Sequence, residues 1–479
     1  MAARLALLHR WLGLLLSWLL LWVVLSGTLS LYRAELDQWQ HPALWDQPAL
    51  SSWDASLSTQ SALLHLATHA PDARQWYLQL PTERQPYFTL HWQPAVAKAV
   101  PAVGSSRSVL YRQWLTADGR TELSSPEPVS AGDHRNELGG LFFHLHYGLL
   151  SSFGQSSRTV VAYLALLWLF VSCIGLCSLR PAFQQWWRHR RASLNSLQRH
   201  QLLGVLSLPF VIVFAATGWL MSMLQVQPAA IQSLYPQSVS PFYQELFPLP
   251  ASPSSSMVAT VEPAMVEAHW ARLLQQLPAL MATASHQWQG LSVGKITVQQ
   301  PLQPEMQLNL QSSATDRVYN MPDLQSYQLQ MLQTDPVLAT ELVWQQLPHV
   351  HSPAQQGWAA QQRNFWYGVH QALFVEQGWR GLLFVLGVFS AAVIWFGVSA
   401  WLRRYRAAFW SPWVKLSFMM IPVGMVLLLA VVPLLALNWP ALLHALSLTH
   451  WLMICLAAAL FLLVIVKYFL ILFFRVVLL

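Results

Sequence analysis

Six long apolar runs divide the chain, and most of the polar residues lie between them. Each run holds about twenty residues, the length that an α-helix needs to cross the hydrocarbon layer of a membrane. The pattern predicts spans at Trp11–Leu31, Thr159–Leu179, Leu202–Leu224, Gly381–Leu402, Leu416–Leu437 and Ala445–Val466. Lys467 and Arg475 follow the last run, and their side chains would have to reach the membrane surface. A cleaved signal peptide is the alternative for the first run, but the run is long and no convincing A-x-A site follows it.

Two long polar segments, 33–140 and 225–365, separate the paired spans and carry mixed helix and strand patterns. In the first, a helical period over 54–73 precedes alternating strand patterns at 75–81, 86–92 and 108–115. In the second, a helical period over 261–280 precedes strand patterns at 290–300, 305–311 and 316–321. The same order of elements after the first and third spans indicates an internal duplication.

The predicted fold class is therefore a membrane all-α helical bundle of about six transmembrane helices, with two small α+β domains outside the membrane. The first four helices form a two-fold internal repeat. In chain order, the predicted parts are transmembrane helix 1 at 1–32, an α+β domain at 33–140, helix 2 at 141–180, a cytoplasmic loop at 181–199, helix 3 at 200–224, a second α+β domain at 225–365, helix 4 at 366–402, a cytoplasmic loop at 403–415, and helices 5 and 6 at 416–479.

Composition agrees with this class, because 54% of the 479 residues are hydrophobic and 10% are charged. Arginines and lysines lie before the first span and in the two short loops, which places those loops and both termini in the cytoplasm by the positive-inside rule. The long segments then face outward. The net charge of +7 is explained by topology, so nothing supports nucleic-acid binding. The three cysteines fall within spans, and there is no C-x-x-C-H motif for covalent haem attachment.

A histidine and two glycines recur in the same frame on spans one and three. His9 is followed by Gly13 and Gly27, and His200 by Gly204 and Gly218, at offsets of 4 and 18 residues in both cases. Eighteen residues are five helical turns, so the histidine and the distal glycine face the same way, about 27 Å apart. Each helix thus offers an imidazole near one membrane surface and a gap near the other.

A second motif, [LV]-H-x-x-L, recurs where each polar segment returns to the membrane. It contains His146 in the first half and His370 in the second, which we expect at the outer ends of spans two and four. A glycine follows eight residues later in both halves, and then an arginine. These residues are Gly154 with Arg158 and Gly378 with Arg380.

Two imidazoles from opposed helices at equal depth are the ligands that a b-type haem needs. We expect His9 with His200 to hold an inner haem and His146 with His370 an outer one. Gly13 and Gly204 would make room for the inner macrocycle and Gly27 and Gly218 for the outer. Four nearby arginines could pair with propionates, namely Arg10, Arg199, Arg158 and Arg380. Alternatively, an interfacial histidine is a solvated or capping residue and a glycine is a helix-packing contact. His144 is the rival outer ligand.

These motifs and the two outer segments resemble the PepSY-associated transmembrane proteins, most closely the inner-membrane ferrisiderophore reductases for ferrioxamine-type substrates. The resemblance covers about residues 5–405. It implies two PepSY-like periplasmic domains, two haems b and a bacterial inner-membrane location. It also implies electron transfer from cytoplasm to periplasm that reduces a ferric siderophore and releases Fe(II). The siderophore and the oligomeric state stay open, as does the role of helices 5 and 6.

Two other classes compete with the reductase. One is a non-enzymatic PepSY membrane protein that binds or restrains a periplasmic partner, and the other is a transporter. Acidic residues are nearly absent from the spans, which disfavours ion-coupled transport. No G-x-G-x-x-G follows a strand, so the electron donor is expected to be another cytoplasmic protein, a small reductant or a quinol.

Tryptophans in the outer segments offer either a platform for an amphipathic ligand or ordinary core packing. They are Trp76, Trp92, Trp114, Trp270, Trp288, Trp344, Trp358 and Trp366.

Overall fold

The computed structural model divides the chain into two compact units. The membrane unit comprises Met1–Pro42, His134–Ala230 and Val369–Leu479, and the sheet unit comprises Ala43–Asp133 and Ile231–Gly368. The residues described are 2–48, 50, 53–95, 109–130, 137–151, 154–177, 194–222, 228–238, 240–246, 263–303, 306–313, 324–335, 339–346, 357–372, 375, 377–404 and 411–477. The predicted strand at 316–321 and most of the predicted loop at 181–199 lie outside them.

Helices make up the membrane unit. They are α1 (Ala2–Ser30), α2 (Arg33–Gln40), α4 (Leu138–Gly148), α5 (Ser157–Cys177), α6 (Ser196–Met221), α11 (Gln377–Arg404), α12 (Ser411–Asn438), α13 (Pro440–Ala445) and α14 (Leu448–Val477). Two further helices run across the unit boundaries, namely α7 (Pro228–Leu234) and α10 (Trp358–Gln371).

Five helices among the described residues are long and apolar enough to cross a membrane. They contain Arg4–Ser30, Ser157–Cys177, Ser196–Met221, Gly378–Arg404 and Pro412–Asn438. The sixth predicted span, Ala445–Val466, begins at the last residue of α13 and lies mostly within α14, in which Leu448–Val464 is a shorter apolar segment. Serine and threonine hydroxyls inside the spans donate to carbonyl oxygens of the preceding turn, as Thr28 does to Val24, which satisfies them without water.

Four of the spans pack in a closed ring. Helix α1 contacts α5 and α11, and α6 contacts the same two helices from the opposite side. Each half of the duplicated sequence thus supplies one adjacent pair, α1 with α5 and α6 with α11. The faces of α1 and α6 that lie inside the ring therefore border the same central space.

Helices α12 and α14 pack against each other, and α12 also contacts α1 and α11 outside the ring. The buried Phe418 ring is 4.7 Å from the ring of Trp18, whose Nε1 donates to Ser417 Oγ at 3.2 Å. The described parts of α12 and α14 therefore support one side of the ring.

His146 and His370 do not lie on the spans themselves, contrary to the prediction that they end spans two and four. They lie on the short helices α4 and α10 that precede those spans. The helices are broken because the backbone turns left-handed, with φ of 45°, 54° and 62° at Leu149, Leu150 and Ser151, and of 50° at Ala372. Such angles are costly for residues other than glycine and cannot continue a right-handed helix.

The sheet unit contains helices α3 (Ala55–His69), α8 (Ser240–Leu246) and α9 (Pro263–Gln287) and one eight-stranded antiparallel sheet. The strands are β1 (Ala73–Gln79), β2 (Tyr87–Pro94), β3 (Val109–Thr116), β4 (Glu127–Ser130), β5 (Val293–Gln299), β6 (Gln307–Ser312), β7 (Leu324–Asp335) and β8 (Ala339–Gln346). Their order is β4-β3-β2-β1-β5-β6-β7-β8. Leu63 and Leu66 of α3 share one buried core with Leu273 and Leu277 of α9.

The two predicted α+β segments are joined through their first strands. β1 pairs antiparallel with β5, with Gln75 opposite Gln299 and Gln79 opposite Lys295. Each segment contributes four strands in matching order, so the duplication extends to the sheet unit, but the strands form one sheet instead of two. Strands β4, β7 and β8 were not predicted from the sequence.

Candidate functional site

His146 and His370 face each other in the membrane unit. Their ring centroids are 5.7 Å apart with an interplanar angle of 18°, and their Nε2 atoms are 3.4 Å apart. His146 comes from the first half of the chain and His370 from the second. The structure thus brings together the two residues that the sequence pairs at one end of the bundle.

His9 and His200 meet near the other end of α1 and α6. Their ring centroids are 5.9 Å apart at an interplanar angle of 61°. Both rings line a cavity of about 470 Å³ between the spans, together with Gly13, Gly204 and Arg404. That volume lies within the range of about 300–1,000 Å³ that is usual for ligand sites.

All four imidazoles are held through their Nδ1 atoms by the neighbouring span of the same half. His9 Nδ1 lies 2.9 Å from the Val171 carbonyl oxygen, His146 Nδ1 2.8 Å from that of Val23, and His200 Nδ1 2.8 Å from that of Val393. His370 bonds the Phe214 carbonyl, and its Nδ1 is 3.1 Å from Thr217 Oγ1.

A backbone carbonyl can only accept, so each Nδ1 carries the proton and donates it. The Nε2 lone pair of each ring is then available to a ligand. A second hydrogen bond that fixes the tautomer and the ring orientation is the usual support for a metal-ligating histidine. Metal-ligating histidines need this second hydrogen bond. Solvated histidines at a membrane surface are not expected to form it at four equivalent positions.

A glycine lies directly under each imidazole. A Cβ atom built on Gly27 would be 2.5 Å from His146 Nδ1, and one on Gly218 would be 3.0 Å from His370 Cε1. On the opposite spans, a Cβ on Gly175 would be 2.8 Å from His9 Cε1, and one on Gly397 3.0 Å from His200 Nδ1. Any larger residue at these four positions would displace a ring.

The structure gives the predicted glycines different surroundings. Gly27 and Gly218 contact the outer histidines themselves. Gly13 and Gly204 contact no ring: a Cβ on Gly13 would have no neighbour within 4 Å, and one on Gly204 would reach only Val393 Cγ1 at 4.0 Å. Both instead border the cavity beside the inner pair.

Gly175 and Gly397 were missed by the sequence reasoning, although a signal for them exists. Each lies 17 residues after the arginine of its half, Arg158 or Arg380. The carbonyl acceptors repeat as well, since Val171 and Val393 each lie 13 residues after the same arginines. An alignment of the two halves that started from the arginines would have paired them.

Three of the four arginines expected at propionates contact protein groups. Arg199 donates from Nε to the Leu194 carbonyl oxygen at 3.0 Å. Arg158 lies with its guanidinium carbon 4.9 Å from the Tyr147 ring centroid. Arg380 is buried, donates to the Val375 carbonyl oxygen at 2.8 Å and lies 3.8 Å from Glu35 Oε1. Arg10 and Arg404 line the inner cavity, and Arg404 was not among the predicted site residues.

His144 takes no part in either histidine pair. Its Nδ1 is 2.7 Å from the hydroxyl oxygen of Tyr147, one turn further along α4. Being two residues from His146, it points to a different side of the helix. The geometry therefore pairs His146, and not His144, with His370.

A group of polar residues outside the spans holds the start of α4, the helix that carries His146. Asp37 Oδ1 accepts from the Gly139 and Gly140 amides at 2.8 and 3.3 Å, and Gln40 Oε1 accepts from the Leu138 amide at 2.7 Å. Burial, together with the neighbouring Glu137 carboxylate, raises the pKa of Asp37 to about 7 against the opposing effect of Arg33. Helix α2 thus supplies the acceptors that the first turn of α4 lacks.

Most of the predicted tryptophan platform is core. Trp76, Trp92, Trp114, Trp270 and Trp288 are buried in the sheet unit, and the Trp76 and Trp270 rings pack edge to face at 5.6 Å. Trp358 is 68% exposed, and Trp366 is half-buried. The side chain of Trp344 lies outside the described residues.

His146 and His370 would need only a small adjustment to hold a metal ion, such as the iron of a haem, through their two Nε2 atoms. Ligating nitrogens about 2.0 Å from an ion are about 4 Å apart, whereas the Nε2 atoms of His146 and His370 are 3.4 Å apart. Moving the two rings apart by about 0.6 Å would give the separation that an ion requires. Each ring lies against a glycine instead of a bulky side chain.

Comparison with protein-family models gives a match over most of the chain. The family model described as "PepSY-associated TM region" matches residues 6–404, which includes all four histidines and both polar segments. No curated protein matches the chain.

Proposed function

Since the chain belongs to the PepSY-associated transmembrane family, we propose that it is a di-haem oxidoreductase of the bacterial inner membrane that reduces ferric siderophores and releases Fe(II). Membership and the five candidate spans make it a multi-pass membrane protein. The proposal about its chemistry rests on the histidines and goes beyond the family assignment.

One observation carries the proposal. Four imidazoles from two duplicated halves meet in two pairs, and each ring donates Nδ1–H to the neighbouring helix while resting on a glycine. A protein that only binds a partner has no use for this repeated arrangement. His9 and His200 would hold one haem b, and His146 and His370 the other. When bound there, each haem accepts and donates one electron at a time.

The spacing of the pairs along α1 suits transfer across a membrane. His9 lies on α1, and His146 bonds the carbonyl of Val23, 14 residues later on the same helix. Fourteen residues span about 21 Å, so the pairs divide the ~30 Å hydrocarbon layer into shorter steps. The Nδ1 hydrogen bonds fix the rings, so they need not reorient when the charge of the site changes.

The balance of the reaction is one electron for each ferric ion. His9 and His200 would hold the group that takes this electron from a cytoplasmic or quinol donor, and His146 and His370 would hold the group that supplies it to Fe(III) of the chelate, giving Fe(II) on the periplasmic side. Siderophores bind Fe(II) more weakly than Fe(III), so reduction releases the metal. The cytoplasmic placement of both termini belongs to this proposal.

Haem stoichiometry tests the proposal. Protein from haem-replete cells should give two haems b per chain by pyridine haemochrome analysis. His146→Ala and His370→Ala should each lower the count to about one by removing the same spectral component. His9→Ala or His200→Ala should remove the other component.

His144→Ala is the matched control, because this histidine lies on the same helix and bonds Tyr147. It should keep both haems. A colourless preparation would instead support the non-enzymatic PepSY alternative. Loss of the outer haem in His144→Ala, but not in His146→Ala, would identify His144 as the ligand.

A further inference from the structure

A second group of histidines lies in the sheet unit and includes none of the four described above. His65 and His69 are four residues apart on α3 and therefore lie on the same side of that helix, with their rings stacked at a centroid distance of 3.9 Å. Glu122 reaches them from the turn after β3, where it bridges to Leu115. Among the described residues, this is the group of histidines and acids whose ligand atoms all lie within 4.8 Å of one another.

Gly119 explains why this turn comes so close to α3. It adopts φ of 71°, and a Cβ atom at this position would overlap the Ser58 carbonyl oxygen of α3. Asp118 accepts from the Arg120 amide at 3.1 Å and thereby stabilises the turn. The close approach holds the Glu122 carboxylate beside the helix.

The distances within the cluster suit an ion better than direct hydrogen bonds. Glu122 Oε1 is 3.7 Å from His65 Nε2 and 3.5 Å from His69 Nε2, which is beyond the usual hydrogen-bond distance. Ligand atoms 2.0–2.1 Å from a tetrahedral ion are about 3.4 Å apart. Both carboxylate–imidazole distances are therefore close to the separation that a shared ion imposes, and all three ligand atoms lie within 4.8 Å of one another.

Hydrogen bonds with neighbouring groups orient the candidate ligand residues. His69 Nδ1 lies 2.9 Å from the His65 carbonyl oxygen and donates to it, so the Nε2 lone pair of His69 is free for a metal. Gln113 is buried, and its Nε2 donates to the Ser124 carbonyl oxygen at 3.1 Å. Its Oε1 accepts from the His65 Nε2–H at 3.0 Å, so His65 must lose this proton when its Nε2 binds an ion, and Gln113 Oε1 is then a further oxygen at the site.

Two of the three side chains are accessible to solvent, so a metal ion can reach them from solution. The side chain of His65 is 10% exposed, whereas those of His69 and Glu122 are 45% and 47% exposed. Two imidazoles and one carboxylate form a site with one negative charge, which suits a divalent cation of borderline softness such as Zn²⁺ or Fe²⁺ and not Ca²⁺ or Mg²⁺.

We propose that His65, His69 and Glu122 bind a divalent first-row transition-metal ion on the sheet unit, with a water molecule or Gln113 Oε1 completing the coordination. The site is independent of the paired histidines of the membrane unit, and the proposal does not require them to bind haem.

Zn²⁺ binding to the full-length protein tests the site. The protein is purified in detergent without a histidine tag, and bound zinc is measured by isothermal titration calorimetry and by metal analysis after equilibrium dialysis. The wild type should bind one more equivalent at micromolar Zn²⁺ than His69→Ala or Glu122→Gln. Because both residues are nearly half exposed, the variants should unfold at the wild-type temperature in the presence of a chelator.

His286→Ala is the control, since it removes one exposed imidazole from the same unit but outside the cluster. It should bind as much zinc as the wild type. Equal stoichiometry and affinity in the wild type, His69→Ala and Glu122→Gln would overturn the proposal, whether zinc binds elsewhere or does not bind. A haem count by pyridine haemochrome on the same samples keeps this result separate from the proposed reductase function.

Discussion

At the scale of single residues, the candidate ligands share one local environment. Each imidazole donates Nδ1–H to a carbonyl and rests on a glycine of the adjacent span in its own half. The ring is thus confined from two sides, and in the His146–His370 pair the two Nε2 atoms face each other at 3.4 Å. Small residues at helix interfaces often merely permit close packing, but here the space they leave is filled by an imidazole.

The Gly27→Ala variant should therefore act on His146 and not on helix packing in general. Its new methyl group would lie 2.5 Å from His146 Nδ1, so the ring must move and lose its bond to Val23. Overpacking of this kind costs about 1–3 kcal/mol. We expect the outer haem content to fall at least by half, measured by haemochrome analysis, and the thermal unfolding temperature to decrease.

Gly378→Ala is the matched control, because a Cβ on this exposed glycine of α11 has no neighbour within 4 Å. It should retain wild-type haem content and stability. Equal effects of the two substitutions on haem content would mean that the contact between Gly27 and the His146 ring does not determine haem binding.

At the scale of secondary-structure elements, the position of His146 depends on how α2 holds α4. The first amides of α4 are bonded by Asp37 and Gln40 from α2, and Glu137 Oε2 bonds His41 Nε2 at 2.8 Å. These contacts fix a short helix that a left-handed turn separates from its span.

Asp37 makes this support pH-dependent. Its pKa is raised from 3.8 to about 7, so between these values the folded protein binds more protons than the unfolded chain. Stability contributed by this group therefore decreases as pH rises through that window, by about 1.4 kcal/mol per pH unit at most. Asp37→Asn keeps an oxygen acceptor for α4 without the charge. The variant should match the wild type near pH 4 and unfold at a higher temperature at pH 7.5.

Thermal unfolding in detergent at both pH values measures the difference. Asp72→Asn, which replaces an exposed aspartate in the turn before β1, controls for the loss of one carboxylate charge. A wild type and an Asp37→Asn variant with parallel pH profiles would contradict the predicted role of Asp37.

At the scale of the whole molecule, duplication explains how one chain builds two similar sites. The halves place α1 and α6 on opposite sides of a four-helix ring, so a histidine on each at the same depth meets its counterpart. The α4 and α10 helices repeat the arrangement at the other end. Helices α12 and α14 lie outside the repeat, and the described contacts of α12 with α1 and α11 give these helices a supporting role.

The proposed function, with both termini in the cytoplasm, predicts a direction for electron flow. In sealed vesicles of known orientation, a membrane-impermeant reductant on the side of the N-terminus should reduce a ferric chelate enclosed on the other side. His9→Ala should abolish transfer, while His144→Ala should preserve it. Transfer only in the reverse sense by protein with both haems would refute the proposed topology or the proposed function.

Much of this organisation is determined by the sequence alone. The long apolar runs define the spans, because a backbone in hydrocarbon must form helices. The identical offsets from His9 and His200 to their glycines define which residues share a helix face, because helical periodicity fixes direction within an element. Family membership follows from the same motifs and is confirmed over residues 6–404.

Only the tertiary structure decides which elements meet. Gly175 and Gly397 lie under the inner histidines because α5 and α11 pack beside α1 and α6, and periodicity within one helix does not specify its neighbour. The pairing of β1 with β5 joins residues more than 200 positions apart, and Gly119 brings Glu122 to His65 and His69 across a turn. These contacts depend on packing between distant segments, for which local patterns carry no information.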